Sequence, residues 1–277
     1  MTGELDRAAP ADVSDALLHE LTSFAATLAD ASGPMILPHF RSPLAVDNKS
    51  DAGAYDPVTE ADRGAESVMR DLIRRHYPEH GIFGEELGYL HGDSALTWVI
   101  DPLDGTRSFI TGALHWGTLI GLYDGARPVL GIMNQPYTKE RFVGNRHGAT
   151  LLREGKQARP LKTRPCRSLE DAVLYTTSPD MLATAWERER FDRLARRVRM
   201  VRYGGDCYSY CMLALGYVDL VVESSLEPYD IQALVPIVEA AGGAVTTWDG
   251  GSPNYGGRVI AAGCPEIHAT ATALLSG

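Results

Sequence analysis

The stretch Trp98-Val-Ile-Asp-Pro-Leu-Asp-Gly-Thr-Arg-Ser-Phe-Ile-Thr-Gly112 constrains this chain more than any other, because an apolar run stops abruptly in two carboxylates, a glycine and a hydroxyl. Leu96 to Ile100 reads as a buried strand, and Asp101 followed by Pro102 predicts a sharp turn at its end. Asp101 and Asp104 are thereby drawn together. Two carboxylates that close repel each other unless a cation neutralises them, and a hard divalent ion such as Mg2+ prefers carboxylate and carbonyl oxygens. The Leu103 carbonyl offers a third oxygen. Gly105 and Thr106 follow at a loop that opens a short helix, where backbone N–H groups suit a phosphate oxygen. On these residues alone a plain surface turn is an equal reading, since turn chemistry selects the same residue types.

Composition narrows the function classes. A chain of 277 residues fits one large α/β unit of two packed lobes, read here as 1–155, an α+β lobe, and 156–277, an α/β lobe that completes the site. A formal charge of −10 argues against a nucleic-acid surface, which needs basic patches. Cys166, Cys207, Cys211 and Cys264 form no zinc-spaced pair and read as reduced structural thiols. The first residues lack a signal-peptide pattern, and no apolar run approaches the roughly 20 residues of a membrane span, so a cytoplasmic, membrane-free protein is expected.

Along the chain, Val13, Leu17, Leu21, Phe24 and Leu28 lie on one helical face, closed by Ser32-Gly33-Pro34. Residues 41–57, with Lys49, Asp51 and Asp56, read as a loop or mobile hairpin. Thr59-Glu-Ala-Asp62 starts a second helix whose core face is Ala61, Ala65, Val68, Leu72 and Ile73, so Asp62 reads first as a cap. Ile82-Phe-Gly-Glu-Glu86 is a short strand ending in paired carboxylates, of which one at most enters a given site. Asp124-Gly125 marks a hairpin between two apolar strands. After about residue 155 strands near 172–175, 200–203, 218–222, 244 and 258 alternate with helices over 179–198, 207–216 and 228–241 and a closing helix.

A further acidic candidate is Asp230, in Glu223-Ser-Ser-Leu-Glu-Pro-Tyr-Asp230, where a strand ends and a helix begins. By itself it too reads as a dipole-stabilised cap. Taken together, Glu85, Asp101, Asp104 and Asp230 are carboxylates from several strand ends, the donor set that metal-assisted phosphoryl hydrolysis uses. The spacing Asp101-x-Leu103 lacks the side-chain oxygen of a calcium loop, which excludes an EF-hand. Trp98, Phe109 and Trp116 read as core, and His115 as a strand-packing residue.

In this order, Asp56-Pro-Val-Thr-Glu-Ala-Asp62, Gly84-Glu-Glu86, Asp101-Pro-Leu-Asp-Gly-Thr106 and Tyr229-Asp230 resemble the signatures of the inositol monophosphatase superfamily, from about residue 15 to 275. The resemblance implies a five-layered αβαβα sandwich, usually a homodimer, and a lithium-sensitive phosphomonoesterase that uses two or three Mg2+ ions, with Mn2+ as a substitute. It further implies that Glu85, Asp101, the Leu103 carbonyl, Asp104 and Asp230 are metal ligands, that Gly105 and Thr106 hold phosphate, and that Asp62 lies behind them near a water. Glu85 and the Thr106 hydroxyl would position a water for in-line attack on phosphorus.

Tyr229-Asp230 and Gly204-Gly-Asp-Cys-Tyr-Ser-Tyr210 look more like the histidinol-phosphatase branch than the inositol enzymes. L-Histidinol phosphate carries an ammonium and an imidazole, so its pocket should offer carboxylates, and Asp206 and Glu223 are the candidates. Each is also readable as a cap or a solvated charge. Three functions are therefore compared: a histidinol-phosphate phosphatase, a phosphatase of the same superfamily acting on inositol, sugar or nucleotide phosphates, and a catalytically silent binding or scaffold protein. The last should lack a ligand, and none is missing from the sequence.

Overall fold

Ser14 opens the first helix, α1 (Asp15–Ile36), by accepting a hydrogen bond from the Leu17 amide. The computed structural model describes residue 5 and residues 9–43, 47–48 and 57–277. Leu21, Phe24 and Leu28 are buried as their spacing predicts, but the helix does not stop at Ser32-Gly33-Pro34. Pro34 forfeits one backbone hydrogen bond, and tertiary packing compensates: the buried Ser32 hydroxyl lies 3.2 Å from that of Thr118, and Gly33 packs against Pro136.

Of the 41–57 segment, β1 (Asp47–Asn48) pairs antiparallel with β2 (Pro57–Val58), whereas Lys49, Asp51 and Asp56 lie outside the described residues. Thr59 then caps α2 (Glu60–His76) in a capping box with Asp62. Its buried stripe is Ala61, Asp62, Ala65, Glu66, Met69 and Ile73, with Val68 and Leu72 at the edge.

Both helices cover one face of an eight-stranded sheet built from β3 (Gly81–Gly84), β4 (Gly88–Leu90), β5 (Thr97–Asp104), β6 (Gly117–Tyr123), β7 (Pro128–Gln135), β8 (Glu140–Asn145), β9 (Gly148–Arg153) and β10 (Arg159–Pro160). The order is β10-β9-β8-β7-β6-β5-β3-β4, antiparallel except for the β3/β5 pair. The β6–β7 hairpin turns at Asp124, whose carboxylate accepts the Ala126 and Arg127 amides at 2.8 Å. At Asp101-Pro102 the chain bulges and does not turn: Asp101 pairs with Leu119 and Asp104 with Gly117, so β5 carries one extra residue. Pro102 has no N–H for the ladder, and the Leu103 amide goes instead to Asp101 Oδ1 at 2.9 Å. After this strand, α3 (Thr106–Ile110) leads into β6.

The second sheet has the order β12-β11-β13-β15-β14, comprising β11 (Val173–Thr176), β12 (Met200–Tyr203), β13 (Leu220–Leu226), β14 (Ala244–Thr247) and β15 (Gly257–Ala262). Two expected helices are divided. Thr184 makes its own capping box with Glu187, so a short turn at Pro179–Met181 precedes α4 (Ala185–Ala195). Pro236 cannot donate to the Gln232 carbonyl, and the chain forms α6 (Pro228–Ile231) and α7 (Leu234–Ala240). Between the sheets lie α5 (Asp206–Ala214), α6 and α7; α4 and α8 (Pro265–Ser276) cover the outer face of the smaller sheet. The layers are therefore αβαβα, with cores beneath the α1–α2 layer, between the sheets, and beneath α4 and α8. Trp98, Phe109 and Trp116 are all buried, and the four cysteines are buried and free. Among the described residues no helix is long and apolar enough to cross a membrane.

Close approach of α6–α7 to the large sheet depends on Gly131, where a Cβ would sit 1.8 Å from the Ala233 carbonyl oxygen. Gly131→Ala is expected to cost about 1–3 kcal/mol, as overpacking does, and to lower the melting temperature by several degrees. An unchanged thermal melt would show that this contact does not set the layer spacing.

Candidate active site

Four chain segments deliver carboxylates to one end of the two sheets. The β5 bulge supplies Asp101 and Asp104, the turn after β3 supplies Glu85, the start of α6 supplies Asp230, and the first turn of α2 supplies Asp62. One oxygen from each of Asp101, Asp104 and Asp230 lies within 4.8 Å of the others, and the Glu85 carboxyl is close enough to Asp101 for hydrogen bonding. The Tyr229 ring packs against Phe83 of β3 with centroids 5.9 Å apart, which brings α6 and its Asp230 up to Glu85.

Each aspartate spends an oxygen on fixing its own position. Asp62 Oδ2 accepts the Thr59 amide at 2.9 Å, Asp104 Oδ2 accepts the Cys207 amide at 2.8 Å, and Asp230 Oδ2 accepts the Glu227 amide at 2.8 Å. Asp101 holds the Leu103 amide in the same way. The cap readings of Asp62 and Asp230 are therefore correct for one oxygen of each. Asp62 Oδ1 is buried with no partner among the described residues, and burial and then the charge of Glu85 raise its carboxyl against the pull of the Thr59 donors.

Burial and mutual repulsion make this cluster poorly suited to stand alone. Burial, followed by the charges of Glu85, Asp104 and Asp230, holds the Asp101 carboxyl well above the ordinary carboxylate range. Asp230 is raised by burial and then by Asp104 and Glu85. Burial and then Asp206 push Asp104 up to about 7. Converging hard oxygens with excess negative charge and an orphaned acceptor fit a divalent cation. The Leu103 carbonyl accepts the Thr106 hydroxyl at 3.0 Å and keeps a second lone pair.

Gly105 and Thr106 form the rim between this cluster and a cleft of about 310 Å³, also lined by Arg107, Thr177, Met181, Asp206, Tyr210 and Glu223. Gly105 adopts φ +80°, and a Cβ there would meet the His115 carbonyl oxygen at 2.4 Å, so only glycine fits. Glu223 is buried in the cleft wall, where it accepts the Thr176 hydroxyl and the Thr177 amide and hydroxyl at 2.8–3.1 Å. Burial pushes it up to about 8, against the pull of those donors.

Asp206 also lines the cleft, but it is no cap: Gly205 occupies the cap position, and Asp206 sits inside the helix at φ +43°. Its Oδ2 accepts the Ser108 hydroxyl at 2.8 Å and faces Arg107 and His115, which ties α5 to α3. His115 is exposed in the loop before β6, near Asp206, and does not pack within a strand. Sequence reasoning missed Glu66, which is fully buried and accepts the Glu86 and Leu87 amides and the Arg70 guanidinium, thereby shaping the turn that carries Glu85. The available signal was an acidic residue one turn after Asp62 on a helix stripe that is otherwise apolar.

Carboxyls raised in the folded state bind more protons there than in the unfolded chain between their ordinary range, 3.8 for Asp104, and about 7. Stability without metal therefore falls as pH rises through that window. A divalent cation such as Mg2+ would take the place of those protons. It is expected to raise the melting temperature more at pH 8 than at pH 5, and equal shifts at both would contradict the cluster's role.

The sequence profile of the inositol monophosphatase family matches residues 17–276. The chain is 40% identical over 270 residues to the bifunctional phosphatase IMPL2, chloroplastic, of Arabidopsis thaliana, covering 94% of this chain and 76% of that protein. It is 34% identical over 245 residues to the histidinol-phosphatase of Mycobacterium tuberculosis, covering 88% and 93%. A solved inositol monophosphatase from Zymomonas mobilis superposes with a TM-score of 0.82 at 43% identity, covering 94% of this chain and 98% of that one. The chain belongs to the inositol monophosphatase family.

Proposed function

We propose that this phosphatase is Mg2+-dependent and that its preferred monoester is L-histidinol phosphate, released as L-histidinol and phosphate. The observation that carries the substrate is Glu223: a buried, hydroxyl-supported carboxylate in the wall of the cleft beyond Gly105 and Thr106. A buried carboxyl raised to about 8 ionises more readily when a cation is seated beside it, and the ammonium and imidazole of histidinol supply one. Asp206, already engaged with Ser108, Arg107 and His115, acts by fixing α3 against α5.

Glu85, Asp101, the Leu103 carbonyl, Asp104 and Asp230 would hold Mg2+, which when bound supplies Lewis-acid stabilisation of the phosphoryl and leaving oxygens and a more acidic water. The chain's own groups do the positioning. Thr106 commits its hydroxyl proton to the Leu103 carbonyl, so its oxygen is left to accept a hydrogen bond from the attacking water. Glu85 is placed to take the water's proton, and Asp62 Oδ1 to orient a neighbouring water. The Gly105 and Thr106 amides face phosphoryl oxygens at the head of α3. No covalent intermediate is needed.

The inositol phosphate reading draws on the likeness to the Zymomonas mobilis inositol monophosphatase. One substitution tests the metal site and another separates the two substrate readings. Asp104→Asn should lower kcat by about 1,000-fold or more, as loss of a principal electrostatic group does, without lowering the melting temperature of the chelated protein, because it removes one of the repelling charges. Full turnover in this variant, or in excess chelator, would refute the metal site. Glu223→Gln should raise KM for L-histidinol phosphate by about 10-fold, the scale of one charge-assisted hydrogen bond, and change inositol 1-phosphate hydrolysis little. Phosphate release from a panel of monoesters reads both effects, and equal losses on the two esters would remove the case for a cationic substrate.

A further inference from the structure

Tyr210 has an environment that the roles above do not explain. It stands one helical turn after Asp206 on α5, is 3% exposed, and lines the cleft. Its hydroxyl is buried with no hydrogen-bond partner among the described residues. An unpartnered buried hydroxyl costs about 1–3 kcal/mol, and phenylalanine would pack the same ring without that cost. The cleft that Tyr210 lines is also lined by Glu223 and by Asp104 and Asp230, so the ring stands among the cleft wall and the carboxylate cluster. Three nearby carboxylates could accept its proton, yet none is hydrogen-bonded to it. Among the described residues nothing satisfies this oxygen, and in such acidic surroundings a cationic donor fits it.

We propose that the Tyr210 hydroxyl is a specificity-determining contact that accepts a hydrogen bond from an ammonium on the carbon next to the ester carbon of the substrate. This deepens the histidinol-phosphate reading and rests on it. Position selects the group: the phosphate end lies at Asp104 and Asp230 and the cationic side chain reaches toward Glu223, so what passes the hydroxyl is the short segment joining them. In L-histidinol phosphate that segment bears the amine. The Tyr210 hydroxyl then takes the amine, while Glu223 faces the imidazole end of the same ester. Burial together with the surrounding carboxylates keeps the phenol protonated, so its role persists across the working pH range.

The test compares wild type with Tyr210→Phe on L-histidinol phosphate and on 3-(imidazol-4-yl)propyl phosphate, which lacks only the amine, with Mg2+ present. For the amine-bearing ester KM should rise about 10-fold with kcat nearly unchanged, the scale of one hydrogen bond to a charged group. For the deamino ester both constants should stay within about twofold of wild type, as expected when no lost contact involves that ester. The melting temperature of the metal-free variant should be equal or higher, because the substitution removes an unpaired buried hydroxyl. Equal losses on both esters, no loss on either, or a lowered melting temperature accompanying the loss would overturn the assignment while leaving the histidinol-phosphate reading intact. Wild-type enzyme that does not distinguish the two esters, or cleaves neither, would refute that reading itself and this contact with it.

Discussion

Repulsion among the buried Asp101 and the half-buried Asp104, Asp230 and Glu85, gathered at the floor of the cleft, is the constraint to which the rest of the fold answers. A protein that gathers such charges must either protonate them or give them a cation. The scaffold makes relaxation difficult. Each aspartate is pinned by a backbone amide on one oxygen, so it cannot rotate away without leaving that donor unpaired. Backbone amides thus direct the remaining oxygens, and the helix caps at Thr59 and Glu227 act as positioning devices as well as helix starts.

The layered architecture determines which side chains meet. Asp101 and Asp104 come from a bulge in a central strand, Glu85 from the adjacent parallel strand, and Asp230 from a helix between the sheets. Gly131 allows that helix region to lie against the large sheet, and the Tyr229 ring against Phe83 fixes its rotation. Behind Glu85, the buried Glu66 holds the turn through two amides, an arrangement available only because Gly84 has no Cβ, which would fall 2.1 Å from Glu66 Oε1. On the far side of the cleft, β13 bulges after Glu223, with Ser225 at φ +63° donating to the Met181 carbonyl. The two bulges face the cleft from opposite sheets.

Much of this was legible in the residues. Thr59 with Asp62, the β6–β7 hairpin at Asp124, and the alternation after residue 160 follow from local rules that tertiary packing did not override. The failures have local causes too. Pro34 and Pro102 were read as a stop and a turn, yet the first is carried through by core contacts of Ser32 and Gly33 and the second is absorbed as a bulge. Asp62 and Asp230 forced a choice between cap and site residue that a carboxylate, with two oxygens, does not have to make. Asp206 shows the opposite difficulty, since its hydrogen bond from Ser108 bridges 98 positions and no local pattern announces it. Tyr210 stands two residues after Tyr208 on a short, largely apolar helix, and what distinguishes it is a hydroxyl with no partner among the described residues.

The central claim is that these carboxylates exist to share divalent cations, and the most direct measurement is anomalous diffraction from crystals grown with Mn2+, a hard ion with the same preference for oxygen ligands. The account predicts anomalous peaks between Asp101, Asp104 and Asp230, with Glu85 and the Leu103 carbonyl within coordinating distance of a peak. Crystals saturated with Mn2+ that show no peak there, and the four carboxylates in unchanged positions, would contradict it.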